Sequence, residues 1–299
     1  MAPSHSSPLK KFKSGFLFFP LLFFSVLIYG CGLNKNEELY SKDVAERKFI
    51  QICREEYNWD VKTKLIDNNT LWIYIPYQGD IFQLKANRFA QTSRCAVSSL
   101  KGEFSNGIFY FEYQITPLLK PQEDKGYTYG LTEEAGEDFR SLLNVIYRVY
   151  FNTEQQPEFY VIVMADITNG VELSYIIFNE DLKKFYNTVL PGEEQYKRIL
   201  QDIRGELTII NDEEGRHLTY QGINLAQFLA EQIVQRIRIK FFGADSGLCR
   251  TPEEDISKII SYVMYTYQFQ DYLKVNLKNL SSGTETGMSR WDLEEIKEF

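Results

Sequence analysis

Phe159-Tyr160-Val161-Ile162-Val163-Met164-Ala165 is an unbroken apolar run, rich in aromatic and β-branched residues. Such a run reads as a central strand covered on both faces. It ends at Asp166, and Thr168-Asn169-Gly170 turns the chain into a second strand, Val171–Phe178. Amphipathic helices flank this pair. Upstream, Phe139, Leu142, Leu143, Ile146 and Tyr150 repeat at helical spacing, with Thr132 as the N-cap and Glu133 and Glu134 in the first turn. Downstream, Leu182, Phe185, Tyr186 and Val189 mark a short helix that ends before Pro191-Gly192.

Towards the N-terminus, Asp43 to Tyr57 reads as a helix with Phe49, Ile50, Cys53 and Tyr57 on one stripe. Ser41 is its candidate N-cap, and Asp43 and Glu46 suit the positive end of the helix dipole. Val61, Thr63 and Leu65 alternate with Lys62 and Lys64 as in a half-buried strand, and Asp67-Asn68-Asn69 turns it into Thr70–Tyr77. Residues 78–94 carry no readable pattern. Ser105-Asn106-Gly107 is the strongest hairpin signal in the chain, joining Cys95–Phe104 to Ile108–Thr116. On its second strand Phe109, Phe111, Tyr113 and Ile115 share a face. Leu118 to Gly130, entered through Pro117 and Pro121, is expected to be a loop. Its tip exposes Tyr127 and Tyr129, which makes them the candidate interaction residues, since tyrosine is a favoured interface anchor.

Towards the C-terminus, Tyr196, Ile199, Leu200 and Ile203 predict a helix, followed by strands at Leu207–Ile210 and Leu218–Ile223. Leu225 to Arg238 is a further amphipathic helix, with Leu225, Phe228, Leu229, Ile233 and Ile237 inward. Thr251-Pro252-Glu253-Glu254 reads as a capping box with proline at the first helical position. The helix it starts has the best stripe in the chain: Ile256, Ile259, Ile260, Val263, Met264 and Tyr267. Leu273, Val275 and Leu277 alternate as a strand, and Ser281 to Gly287 is a small-residue loop before a polar tail. Helix followed by two strands recurs from near Asp43, Asp138 and Glu193 without residue identity between the copies. The expected fold class is α+β, with mostly antiparallel sheets built from β-hairpins and interspersed amphipathic helices.

The first thirty-two residues carry an address. Lys10, Lys11 and Lys13 precede an apolar run from Phe16 to Tyr29, which closes on Leu27-Ile28-Tyr29-Gly30-Cys31-Gly32. A basic segment before a short apolar one is the pattern of a secretory signal. Its end resembles a lipobox, the signal of bacterial lipoproteins. By that resemblance Ile28 and Gly30 are signal-recognition positions, and Cys31 receives a diacylglyceryl group on sulfur before cleavage just ahead of it. Tyr29 departs from the family, which has a small or β-branched residue there. Gly32 is not the aspartate that retains many such proteins in the inner membrane, so the resemblance implies export and an outer-membrane anchor. An uncleaved signal anchor is the alternative, although Phe16 to Tyr29 is short for a full span. The organisation expected is therefore a signal over 1–30, a lipidated tether over 31–42 and a globular region over 43–299. That region would divide near 118–131 if it has two lobes.

The leader holds three lysines and no acid, so the mature chain sets 30 basic residues against 41 acidic ones, a net of −11. That balance excludes a nucleic-acid or anionic-membrane surface, which needs a basic face. With 22 Phe, 20 Tyr and 3 Trp in the chain, a folded core is expected rather than disorder. Besides Cys31 there are Cys53, Cys95 and Cys249, an odd number in an exported compartment, so at least one thiol stays free or pairs between chains. Cys53 lies on the apolar stripe of its helix and reads as a buried free thiol.

Chemistry-bearing motifs are sparse. His217 is the sole histidine beyond the leader, and Ser246 lacks the G-x-S-x-G elbow of a serine hydrolase. Ser98-Ser99-Leu100-Lys101 matches S-x-x-K without its companion motifs and is expected within a strand. There is no zinc-type His/Cys cluster, so no metal site is assigned, and no phosphate loop or cofactor motif occurs. Asn211-Asp212-Glu213-Glu214-Gly215 lacks the order of a calcium loop and reads as a solvated turn, and Asp166 as a turn-former. Three functions remain. The first is a non-enzymatic envelope protein that meets the membrane through lipid on Cys31 and binds or assembles with another envelope protein. A carboxylate-dependent hydrolase of envelope glycan or peptide is the alternative, and a small-ligand binding lipoprotein stands between them.

Overall fold

The structure, a computed structural model, describes residues 39–67, 69–86, 92–123, 127–205, 222–242 and 251–296. In chain order its elements begin α1 (Lys42–Tyr57), β1 (Lys62–Ile66), β2 (Thr70–Tyr77), β3 (Phe82–Ala86), β4 (Thr92–Ser105), β5 (Ile108–Glu123), β6 (Tyr127–Leu131) and α2 (Glu133–Tyr150). They continue with β7 (Phe159–Asp166), β8 (Val171–Phe178), α3 (Asn179–Tyr186), α4 (Gly192–Arg198), β9 (Leu200–Arg204), α5 (Leu225–Phe242), α6 (Pro252–Thr266), β10 (Lys274–Asn279), β11 (Glu285–Ser289) and α7 (Arg290–Glu295). This is an α+β fold with mostly antiparallel sheets.

The apolar run is β7, the middle of a five-stranded sheet ordered β1-β2-β7-β8-β9, and every one of its residues is buried. It pairs parallel with β2 and antiparallel with β8. The parallel pair needs a crossover, and α2 lies on that path. Successive side chains of a strand face opposite ways, so β7 feeds two cores. Tyr160, Ile162 and Met164 join α1 and α2 on one face, through Phe49, Leu142, Val145 and Ile146. Phe159, Val161 and Val163 join α5 and α6 on the other.

That second face continues into another layer. A sheet ordered β11-β10-β5-β4 turns Phe109, Phe111, Tyr113 and Ile115 inward onto the same helices, the shared face expected of this strand. The layers therefore run helices, sheet, helices, sheet. Helix α5 sits inside this stack: its Phe228 ring lies 5.4 Å from that of Phe159, and a Cβ added to Gly102 of β4 would come within 2.6 Å of Val234 Cγ2. Its buried residues (Phe228, Leu229, Ala230, Ile233, Val234, Ile237) go round most of the helix, as they must in a helix with neighbours on two sides.

Most expected boundaries hold, and the hairpin at Asn106-Gly107 has both residues at positive φ, 51° and 75°, as a type I′ turn requires. Four expectations are corrected. Leu118 to Gly130 is not a loop: β5 runs on to Glu123, and Tyr127–Leu131 is β6, which pairs with β3. Pro117 and Pro121 are tolerated there because β10 accompanies β5 only as far as Tyr113, and beyond it no strand among the described residues pairs with that side. Tyr40–Phe299 forms one compact unit.

The helix expected from Tyr196 to Ile203 stops at Arg198, and the chain becomes β9. The stripe is satisfied as a strand because both faces of the sheet are covered. Leu200 enters one core while Ile199 and Ile203 pack on the other. The supposed C-terminal loop and tail form the β10–β11 hairpin and α7, whose start is a capping box of Ser289 and Asp292. The box expected at Thr251 lacks its side-chain bond to the helix backbone, although Pro252 does open α6.

Two devices quiet the sheet edges. Edge strand β1 presents Lys62 and Lys64, both exposed. The outer edge of β9 is met by amide side chains of α5: Gln235 Nε2 donates to Ile199 O at 2.7 Å, and its Oε1 accepts from Gln201 N at 3.3 Å. Cys53 is buried and free, as its helical stripe implied, and burial pushes its thiol up to about 12. Cys95 is disulfide-bonded, to a partner outside the described residues.

Candidate functional site

The residues singled out in the sequence do not converge. Ile28, Gly30 and Cys31 lie outside the described residues, as do His217, Ser246, Cys249, the 211–215 turn, the strand expected at 207–210 and all but the last two residues of the one expected at Leu218–Ile223. Tyr127 and Tyr129 belong to β6, in register with Ala86 and Leu84 of β3, and not to a loop tip. Ser98 sits in β4 at a register shift, where its S-x-x-K match has no partner motif. Asp166 closes its own turn: it accepts from Asn169 N at 2.9 Å and from Asn169 Nδ2 at 2.7 Å.

What the fold does bring together is a buried set of charges that no motif announced. It begins in α4, a seven-residue helix with Glu193 and Glu194 at its start and Lys197 and Arg198 at its end. This charge order suits the helix dipole, and both i,i+4 pairs close, Glu193–Lys197 at 2.6 Å and Glu194–Arg198 at 2.8 Å. The Arg198 side chain is 6% exposed and also donates Nη1 to Asp181 Oδ1 at 2.8 Å, where Asp181 of α3 is 0% exposed. From α5, Arg236 donates Nη2 to Glu194 Oε1 at 2.7 Å. From α6 and its C-cap, Tyr262 donates to Glu194 at 3.0 Å and Tyr267 to Asp181 at 2.5 Å. The two tyrosine rings also lie under the guanidiniums, Tyr262 at 5.0 Å from Arg236 and Tyr267 at 5.7 Å from Arg198.

Two carboxylates thus face two guanidiniums, and the set is neutral. Burial alone would raise the pKa of Glu194, but hydrogen bonds from Arg236, Arg198 and Tyr262 hold it below the ordinary value. Burial and the Asp181 carboxylate push Tyr267 well above the ordinary phenol, so it remains a donor. A Glu194 held ionised by three donors is neither a general acid nor a base awaiting a proton. Its chemistry is that of a clamp tying four helices together.

Beside the clamp opens a pocket of about 300 Å³, lined by Lys197, Arg236, Lys240, Lys258 and the apolar surfaces of Ile239, Ile259 and Tyr262. A wider groove of about 670 Å³ runs past β4, β5 and β10, with Lys101, Glu103, Tyr110, Glu112, Glu231 and Lys278 among its walls. Its charges are mixed, and Lys278 and Glu112 pair at 3.0 Å.

A third grouping lies at the C-terminal ends of parallel β2 and β7, where Tyr77 stands in register with Asp166. The buried Tyr77 phenol lies beside Asp138 of α2. Asp138 is held above the ordinary carboxylate value by burial, with help from Glu134 and Glu137 and against its bond to Tyr77. Carboxylates so placed are where a crevice in an open α/β sheet does chemistry.

One signal could have exposed the clamp in the sequence. Gln232 and Arg236 stand four apart inside the apolar helix Leu225–Phe242, and Glu194 and Arg198 four apart in a short charged one. Among the described residues no group of His, Cys, Asp and Glu is arranged to hold a metal ion, and no helix is long and apolar enough to cross a membrane. No family model, curated protein or solved structure matches this chain.

Proposed function

We propose that this chain is an exported protein, anchored in the bacterial envelope by lipid on Cys31, that works by binding rather than by catalysis. The observation that carries the binding half is the clamp. The Asp181 and Glu194 carboxylates between the helices are consumed by arginine and tyrosine donors, which is an arrangement for rigidity and not for turnover. The anchoring half rests on the lipobox resemblance at Ile28, Gly30 and Cys31.

Photocrosslinking of the full chain in a bacterial envelope, read by mass spectrometry, tests the first half. A single protein captured by the parent and lost in the Tyr127→Ala/Tyr129→Ala double variant supports binding through that ribbon, provided the variant's melting temperature is unchanged. Detergent-phase partition and the mass of the mature N-terminus test the second half. Both should be lost in Cys31→Ala, and a lipidated alanine variant would refute the assignment. Two or three acyl chains are needed for stable anchoring, since one holds only marginally.

The second reading, a carboxylate-dependent hydrolase of envelope glycan or peptide, is favoured by one observation, the raised pKa of Asp138 beside Tyr77. Turnover of muropeptides by the purified protein, abolished in Asp138→Asn, would establish that reading in place of binding.

A further inference from the structure

The pocket beside the clamp has a sign that the chain as a whole does not. The protein carries a formal net charge of −8, yet Lys197, Lys240, Lys258 and Arg236 all line one opening, and among the described residues no acidic one does. Glu193, Glu194 and Glu254 stand behind these cations as ion-pair partners: Glu193 with Lys197, Glu254 with Lys258 at 3.1 Å, and Glu194 with Arg236. Lys240 makes no ion pair among the described residues and is exposed. Arg236 is 91% buried, and its Nε has no hydrogen-bond partner among the described residues. Between the cations the wall is apolar, formed by Ile239 of α5 and by Ile259 and Tyr262 of α6.

We infer that this pocket binds a small organic anion, one carboxylate-like group on a compact apolar body. The inference rests on the binding reading above and names the ligand class for one site. Charge complementarity selects the anion: a cation here would meet four positive side chains and no lining carboxylate. The apolar wall selects a body over a bare ion, because an inorganic anion would leave Ile239, Ile259 and the Tyr262 ring facing water. Volume limits its size. About 300 Å³ is at the low end of small-molecule sites and holds on the order of ten non-hydrogen atoms. The clamp supplies the rigidity, since Arg236 and Tyr262 are fixed by Glu194 before any ligand arrives.

Calorimetric titration of the full-length chain, held in phosphatidylcholine nanodiscs, with 4-phenylbutyrate tests this. Empty nanodiscs give the background. One saturable site is expected, weakened at least tenfold by Lys240→Glu and by Ile259→Glu. It should be unchanged in Lys274→Glu, an exposed lysine on the distant β10, and 4-phenylbutylammonium should not compete. The inference fails if 4-phenylbutyrate shows no saturable site, if Lys240→Glu binds as the parent does, or if the ammonium probe binds equally well. Inorganic phosphate binding as tightly as 4-phenylbutyrate would remove the apolar part of the claim and overturn it. Because Ile259→Glu risks the fold, its denaturation midpoint is measured alongside, and Lys240→Glu decides where that midpoint has moved. These outcomes are separable from the broader reading. A captured envelope protein with no anion site leaves binding intact, and muropeptide turnover removes it whatever the pocket holds.

Discussion

The two faces of the five-stranded sheet solve the same burial problem with different chemistry. Against α1 and α2 the sheet meets an apolar layer in which Phe49, Leu142, Val145 and Ile146 are all 0% exposed. The ion pair that joins these two helices, Arg148 with Glu56, stays at the surface, half exposed on both sides. Against α5 and α6 the sheet meets an equally apolar core threaded by Asp181, Arg198, Glu194 and Arg236. An exposed pair contributes little, whereas a buried set must be fully satisfied or it costs several kcal/mol. The difference follows from layer position. The α1–α2 layer is outermost and can turn its polar face to water. The α5–α6 layer has α3 and α4 packed against it, and the polar groups of the four helices find their partners in one another.

The largest effect should come from breaking that clamp. Arg198→Ala leaves Asp181 and Glu194 without their shared donor and should cost about 3–5 kcal/mol in urea unfolding. The combined change Asp181→Leu, Arg198→Met and Tyr267→Phe removes the charges together and should restore most of that loss. If the single and combined variants are equally unstable, the clamp is not an electrostatic unit and the contrast between the faces dissolves.

The apolar parts of the two cores should respond alike. Ile146 of α2 and Ile260 of α6 are each 0% exposed, so Ile146→Ala and Ile260→Ala should each cost about 2–5 kcal/mol. A loss below roughly 1 kcal/mol at either would mean that its helix face is free to relax, and the symmetry would fail there.

A smaller effect is expected where α5 meets the second sheet. Gly102→Ala would place a Cβ at 2.6 Å from Val234 Cγ2 and 2.7 Å from the Phe111 ring, and such overpacking costs about 1–3 kcal/mol. Val234→Ala in the same background should recover part of it. Recovery shows that the helix is pressed onto β4. Additive losses would show that it is not.

These contrasts also explain what was legible beforehand. Strands β2, β7 and β8 and helices α1, α2, α5 and α6 were readable because each buries a face with a clear period, or in β7 both faces. Strand β9 was misread because a strand between two cores buries Ile199, Leu200 and Ile203 whatever their parity, so its pattern imitates a helix. The extension of β5 was hidden by Pro117 and Pro121, whose tolerance depends on where β10 stops, a fact of tertiary pairing. The clamp was hidden for the same reason. Asp181, Glu194, Arg198 and Arg236 look like surface charges on short or amphipathic helices, and nothing local says that four helices will bring them together. The acidic α2 start was visible, but its contact with Tyr77 joins residues far apart in the chain.

The smallest effect, and the most discriminating, is in the acid titration of stability, where the two faces should carry opposite signs. Glu194 has a folded pKa below its ordinary 4.5, because the donors of Arg236, Arg198 and Tyr262 outweigh burial. Its contribution is therefore fully present above 4.5 and is lost as pH falls towards the folded value, where the unfolded chain binds more protons. Asp138 has a folded pKa above its ordinary 3.8, with burial as the leading cause. Its ionisation opposes folding, so stability is lost as pH rises from 3.8 through the folded value. Asp138→Asn should consequently flatten the profile on the upper side of that window and leave the protein slightly more stable at neutral pH. Glu194→Gln should flatten it on the acid side while lowering stability overall, since a neutral amide is a poorer acceptor for two guanidiniums. Urea midpoints taken at half-unit steps from pH 3 to 7 read both slopes. If Asp138→Asn loses stability at neutral pH, its carboxylate is a net stabiliser bonded to Tyr77, and the outer layer would hold a buried polar pair of its own.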